Sequence, residues 1–307
     1  MLAVSLFCFG VFKFMGDPVI QMVDSDTPLA EIEAIRDRMG LNDNLLTQYA
    51  TFIKNSAQLD FGRSYELRRP VTELIVEALP ATAELVILST IIATFFGLLI
   101  GVYTAVHPKG AVSAALRAGS LIGVSVPTFL MAILAIYWFS VSLGWLPSYG
   151  RGEVVSIGWW TTGLLTKSGL LALILPVLTL SINQVSLIVR LVRSEMLDIL
   201  RADYIRFARA RGLSERAINF RHALKNALIP VVTIVGLQIG SLLAFAVVTE
   251  SVFQWPGMGS LFIRAIQSID IPVMSAYLML VALIIVIVNI VLDFIYVMVD
   301  PRLALAK

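Results

Sequence analysis

The sequence predicts an all-α fold: a polytopic transmembrane helix bundle of about six spans, with a helical loop outside the membrane. Three observations predict it. Of 307 residues, 58% are hydrophobic and 14% are charged, where soluble domains carry about 45–50% and about 25%. Five apolar runs occupy residues 81–106, 121–143, 170–192, 228–253 and 273–299. Each reaches the roughly 20 residues that cross a hydrocarbon core about 30 Å thick. Lipid offers the backbone no hydrogen-bond partners, so such runs become helices. The net charge of +2 is too small for a nucleic-acid binder.

The first element is "MLAVSLFCFGVFKF", residues 1–14. It holds about a dozen residues before Lys13, too few to span alone. It has neither the basic leader nor the small-x-small cleavage site of a signal peptide before Asp17. We read it as a first span that has lost its opening residues. Cys8, the single cysteine, offers neither a disulfide nor a metal cluster and reads as a buried apolar residue.

Residues 16–80 are polar, and helical spacing recurs within them: Leu29, Ile32, Ile35 and Met39, then Leu45, Tyr49, Phe52 and Ile53. Thr27 suits the cap and Pro28 the first position of a short helix. "MGLND" reads as a break before a second one. The segment is expected to fold as a loop outside the membrane.

Orientation follows from the short loops. Between Arg190 and Lys225 stand Arg193, Arg201, Arg206, Arg209, Arg211, Arg216 and Arg221, against Glu195, Asp198, Asp203 and Glu215. The loop from His107 to Arg117 adds Lys109. The opposite loops hold only Arg151, Lys167 and Arg264. The positive-inside rule places both basic loops, and with six spans both chain ends, in the cytoplasm.

Polar residues interrupt the spans. Thr82 and Glu84 open the second, and Glu84 is expected near the outer interface. Asn183, Gln184 and Ser186 lie in the fourth, Gln238 and Ser241 in the fifth, and Asn289 and Asp293 late in the sixth. They read either as a substrate path or as helix-to-helix hydrogen bonds. Asn183, Gln184 and Gln238 together favour a lining role, with small neighbours that leave room. Asp293 reads as structural. Trp145 and Trp255 suit the interfacial aromatic belt.

The segment "ARARGLSERAINFRHALKNALIP", residues 208–230, is basic and helix-forming yet lies between two spans. Leu197, Leu200, Tyr204 and Phe207 share one helical face. Gly212 suits a left-handed helix end, and Ser214 suits the cap of the next helix. Ala217, Phe220, Leu224 and Leu228 then share a second face, and Pro230 marks the passage into the next span. Pattern alone allows an amphipathic hairpin lying on anionic lipid or a docking element for a partner protein.

A resemblance decides between them. "YIRFARARGLSERAINFRHALKNALIPVVTIVG" resembles the E-A-A-x-x-x-G signature loop of ABC-transporter membrane subunits. More narrowly, it is similar to the dipeptide/oligopeptide, binding-protein-dependent permease branch, with Y-x-R-T-A-R-A-K-G-L followed by R-H-A-L-x-N-A-L-I-P. Arg206, Ala208, Arg209, Ala210, Gly212 and Leu213 fit, as does the run from Arg221 to Pro230, while Phe207 and Arg211 depart from the pattern. "GDP" at 16–18, "DFGRSY" at 60–65, "LPATAEL" at 79–85, "VPTF" at 126–129, "FQWPGMGSL" at 253–261 and "DFIYVMVDPR" at 293–302 resemble the same branch in the same order. The resemblance implies a type I importer membrane subunit of a bacterial inner membrane. Its coupling loop, 193–227, would dock a cytoplasmic ATPase, with Ser214 capping, Ala208 and Ala210 permitting close approach, and Phe220 and Leu224 filling an apolar groove. The implied partners are two ATPase subunits, a second homologous permease and an extracytoplasmic solute-binding protein. The implied cargo is a di- or oligopeptide, with glutathione, nickel and oligosaccharides as alternatives within the branch.

The residues agree with a subunit that has no motor of its own. No G-x-x-x-x-G-K-[ST] cradle occurs, so ATP is expected on the partners, with no cofactor and no catalytic group here. An intramembrane protease would need a Ser/His pair, paired aspartates or an H-E-x-x-H helix, none of which the spans contain. A self-sufficient carrier would ordinarily show internal repeats, and none is evident. The expected division is residues 1–78 as partial first span and outer helical region, 79–299 as permease domain, and 300–307 as a short tail.

Overall fold

The computed structural model describes residues 2–14, 19, 23, 27–38 and 40–299. The "GDP" tripeptide at 16–18, Met39 and the tail 300–307 lie outside them. Short helices come first: α1 (Leu2–Phe14), α2 (Leu29–Arg38) and α3 (Leu45–Ala57). Gly40 at φ +67° breaks the chain between α2 and α3, and Asn44 caps α3 by accepting from the Leu46 N–H at 3.3 Å. α1 packs on α3 through Phe9 against Tyr49 and Phe52.

The membrane helices follow. α4 (Val71–Val106) begins ten residues before its apolar run and passes through both Pro80 and the expected 78/79 domain boundary. α7 (Lys167–Arg201) and α9 (Glu215–Val252) likewise extend beyond their runs, and α11 (Ile271–Val299) completes the set. The run at 121–143 departs from expectation. It is not one straight span but two helices, α5 (Ala111–Ser125) and α6 (Thr128–Ser142), bent by 108°. The cause is Pro127. Proline pushes the preceding residue out of the helical region and removes an N–H, and Val126 sits extended at φ −93°, ψ 128°. α6 ends in a π-helical turn over Ile136–Ser142. Short helices α8 (Asp203–Ala210) and α10 (Met258–Gln267) occupy the connections, as does a small hairpin of β1 (Val155–Ile157) and β2 (Trp160–Thr162) that periodicity did not announce.

α4 and α7 run side by side in the same direction. Gly97 faces Ile188 and Gly101 faces Val192 so closely that a Cβ on either glycine would lie 2.6–2.8 Å from those side chains. Glycines four residues apart open a groove for the β-branched ridge of the neighbour. Above this seam, toward the ends nearest Ala81 and Leu173, a cluster gathers around Trp255, Leu85, Val177 and Leu243. At the opposite end Val102, Ala105, Met196, Ala223 and Ala227 form another. The outer surfaces of the spans remain apolar, for example Phe95 and Leu99 on α4 and Ile287 and Ile290 on α11, as surfaces that meet lipid or a partner helix require.

Gly101→Leu should overpack this seam at a cost of about 1–3 kcal/mol and lower the thermal midpoint of the purified protein. Gly119→Ala, whose Cβ would meet nothing within 4 Å, should leave the midpoint unchanged.

Candidate functional site: a polar cavity and a basic elbow

The seam positions two regions. The first is a cavity of about 90 Å³ between α6, α7 and α9. Its polar wall is Thr128, Asn183, Gln184, Gln238 and Ser241, and its apolar wall is Leu180, Leu242 and Phe245. The three amides marked in the sequence thus come together, joined by Ser241. Thr128 is the addition, supplied by the break at Pro127 that places the start of α6 here. Asn183 Nδ2 donates to Thr128 Oγ1 at 2.9 Å, tying α7 to α6. Gln184 is buried, and among the described residues neither Oε1 nor Nε2 of its side chain has a partner. Ser186 instead bonds within its own helix, to the Ile182 carbonyl. Asn289 and Asp293 are exposed on α11, away from the cavity.

The second region is the elbow between α7 and α9. α7 stops at Ala202, extended at ψ 149°, so Leu197 and Leu200 belong to α7 and Tyr204 and Phe207 to α8. The single amphipathic helix expected there is two. α8 ends in a Schellman motif: the Gly212 N–H donates to the Arg209 carbonyl at 2.9 Å and the Leu213 N–H to the Ala208 carbonyl at 3.2 Å. Gly212 holds φ +80° with open space around it, so conformation, not crowding, selects glycine. Ser214 Oγ accepts from the Ala217 N–H at 3.3 Å and starts α9. Arg209 Nε donates to Glu215 Oε1 at 2.9 Å across the corner, and the Asn226 amide donates to the Tyr204 hydroxyl at 3.0 Å. Arg206 pairs only loosely with Asp203, at 3.5 Å on an exposed surface.

The bundle buries a face of α9 other than the one expected, that of Ala217, Phe220, Leu224 and Leu228. A π-helical stretch occupies Ile218–Ala223, and Ile218, Ala223, Ala227 and Val231 are buried. Ile205 on α8 and Ile218 on α9 are both fully buried. Phe220 is consequently 56% exposed, and Phe207 is 65% exposed with the Arg211 guanidinium 5.8 Å from its ring. Leu224 is half-buried against the inner cluster and cannot be wholly given to a partner. Ala208 is half-buried, while Ala210 is exposed at the end of α8.

At the far end of the bundle lies a set of buried polar contacts that sequence reading largely missed. Glu84 does not sit in a wet interface. It accepts from Arg151 at 2.8 Å, and both side chains are at most 7% exposed. Arg151 also donates to Thr161 Oγ1 at 2.9 Å, holding the β-hairpin down on α4. Glu250, fully buried, accepts from Thr82 Oγ1 at 2.6 Å and from the Ser260 N–H at 2.9 Å, so its carboxylate caps α10. Trp255 is fully buried and donates to the Ala81 carbonyl at 3.1 Å; it is a core residue, not a belt residue, unlike the exposed Trp145. Ser64 donates to the buried Asp270, which pins "DFGRSY" to the corner between α10 and α11. The signal available for Glu250 was an acid at the end of an apolar run, six residues before a Pro-Gly pair that precedes a helix.

A sequence profile described as "Binding-protein-dependent transport system inner membrane component" matches residues 97–305. The di/tripeptide transport system permease protein DppB of Pseudomonas aeruginosa is 39% identical, over 98% of this chain and 94% of that protein. The oligopeptide transport system permease protein AppB of Bacillus subtilis is 36% identical, over 99% and 95%. Among solved structures, inward-facing conformations of the MetNI methionine ABC transporter align at TM-score 0.58 and 20% identity, covering 74% of this chain and 96% of that one. The fold is that of a type I ABC importer membrane subunit.

Arg151→Met should leave Glu84 buried and unpaired, at a cost of about 3–5 kcal/mol. Pairing it with Glu84→Gln should recover most of the loss in thermal unfolding of the purified protein. No recovery in the double variant would contradict the pairing.

Proposed function

The chain belongs to the binding-protein-dependent transport system inner membrane component family, and from that premise we propose that it forms half of the translocation pathway for di- and oligopeptides. It is a membrane permease subunit of an ABC importer and works with ATPase and binding-protein partners. In the proposed assembly two ATPase chains sit beneath it and a second homologous permease beside it. A solute-binding protein delivers cargo to the outer face of the bacterial inner membrane, and both chain ends are cytoplasmic. ATP is bound and hydrolysed by the partners, and this chain supplies neither catalytic group nor cofactor site. Peptide cargo draws its support from the relatives, peptide permeases by name along nearly the whole chain. The division at 1–78, 79–299 and 300–307 is a functional one, since α4 runs through the first boundary.

The observation that carries the coupling role is the elbow. Phe207 and Phe220 are exposed, Phe207 with the Arg211 guanidinium over its ring and on a helix with Arg206 and Arg209, while Ile205 and Ile218 of the same two helices are fully buried. An apolar helix face with a basic rim suits a groove in a partner protein. The covalent ends of the elbow are α7 and α9, two walls of the polar cavity. Closure of the ATPases would then tilt the helices bearing Gln184 and Gln238. A nucleotide cycle shifts the bundle only as far as the two states differ in affinity for the elbow.

Phe207→Asp and Phe220→Asp should leave the subunit in the membrane and reduce ATPase co-purification and peptide uptake at least tenfold. Gly212→Pro, incompatible with φ +80°, should do the same. Leu224→Asp is a poorer probe, because it also disturbs the inner cluster. Wild-type co-purification with all three of the first variants would contradict the docking role.

A further inference from the structure

Gln184 is a group the fold leaves unexplained. It is 2% exposed, lines the central cavity, and has a hydrogen-bond donor and an acceptor without partners among the described residues. Buried side-chain amides are normally satisfied, and an exception calls for a reason. Its neighbour Asn183 is provided for by Thr128 at 2.9 Å. No charged side chain lines the cavity.

Resting on the peptide-permease reading, we infer that Gln184 receives the backbone of an extended substrate residue in transit. Nε2 donates to that residue's carbonyl and Oε1 accepts from its N–H. The N–H and C=O of one trans peptide group point apart, but those of one extended residue lie on the same edge of the chain and match the donor and acceptor of a glutamine amide, so the two pair and both unused atoms of Gln184 are satisfied. A carboxylate would engage Nε2 alone and set its charge against Oε1. An ammonium would engage Oε1 alone and face Nε2. A neutral wall of amides and hydroxyls offers no counter-charge to either. The pairing ignores side chains, which suits a route for peptides of varied sequence. Leu180, Leu242 and Phe245 give the cavity an apolar wall, and lower local polarity strengthens the pairing. Gln184 lies on α7 one turn before Ile188, which packs against Gly97 of α4, so tilting of α7 moves the amide with it.

The test is ATP-driven uptake into vesicles that hold the complete transporter, with loaded binding protein saturating. Trialanine is compared with alanyl-lactyl-alanine, the ester isostere that lacks the middle residue's N–H. The preference for amide over ester should fall about tenfold on Gln184→Leu, as expected for loss of a hydrogen bond inside a buried site. Comparing the two assemblies cancels the binding protein's own preference, which is the same in both. Gln184→Asn keeps the amide but withdraws it by one methylene, and should retain part of the preference. A preference equal to wild type in Gln184→Leu overturns the inference. If that variant does not assemble, an undiminished preference in Gln184→Asn overturns it instead. Uptake of neither compound by the wild-type assembly would defeat the peptide-permease reading itself, a different failure.

Discussion

The close approach of α4 and α7 is the constraint on which the rest depends. Gly97 and Gly101 have no side chain to hold the helices apart, and Ile188 and Val192 fill the space. In lipid there is little hydrophobic drive between helices, so such close packing must supply the association. The parallel alignment it enforces fixes three levels at once. At one end it leaves α4 to meet the hairpin through Glu84 and Arg151. Near the middle it presents Asn183 and Gln184 to α6 and α9. At the other end it delivers α7 to the elbow at Ala202.

The elbow and the far polar cluster solve opposite problems. The cluster buries three carboxylates and a guanidinium at the end of a membrane bundle, where an unpaired charge is costly. Glu84 takes Arg151, Glu250 takes Thr82 and the start of α10, and Asp270 takes Ser64. Those contacts lock loops that would otherwise move independently of the spans. The elbow instead keeps its arginines and phenylalanines outward and buries two isoleucines. One end is tied to its own loops, and the other presents side chains to its surroundings.

Much of this was legible in the sequence because membrane helices are read by length and polarity alone. The five runs, the glycine at the corner, the serine cap and the group of amides in the cavity all followed from local rules. What escaped was set by tertiary context. Pro127 sits within an apolar run, and a run read by length and polarity alone does not show how sharply the chain turns there. The π-helical turn at 218–223 is a feature no 3.6-residue pattern contains. Trp255 and Glu84 looked interfacial because their burial depends on partners far away in sequence, Ala81 and Arg151.

The central claim is that the elbow lies on the cytoplasmic side and is covered there by an ATPase. The most direct measurement is maleimide labelling of Phe207→Cys in a Cys8→Ser background, using a reagent that does not cross membranes. The account predicts no labelling in intact cells. Labelling should appear after permeabilisation when the ATPases are absent, and fall again when they are bound. Strong labelling in intact cells, or labelling indifferent to the ATPases, would contradict it.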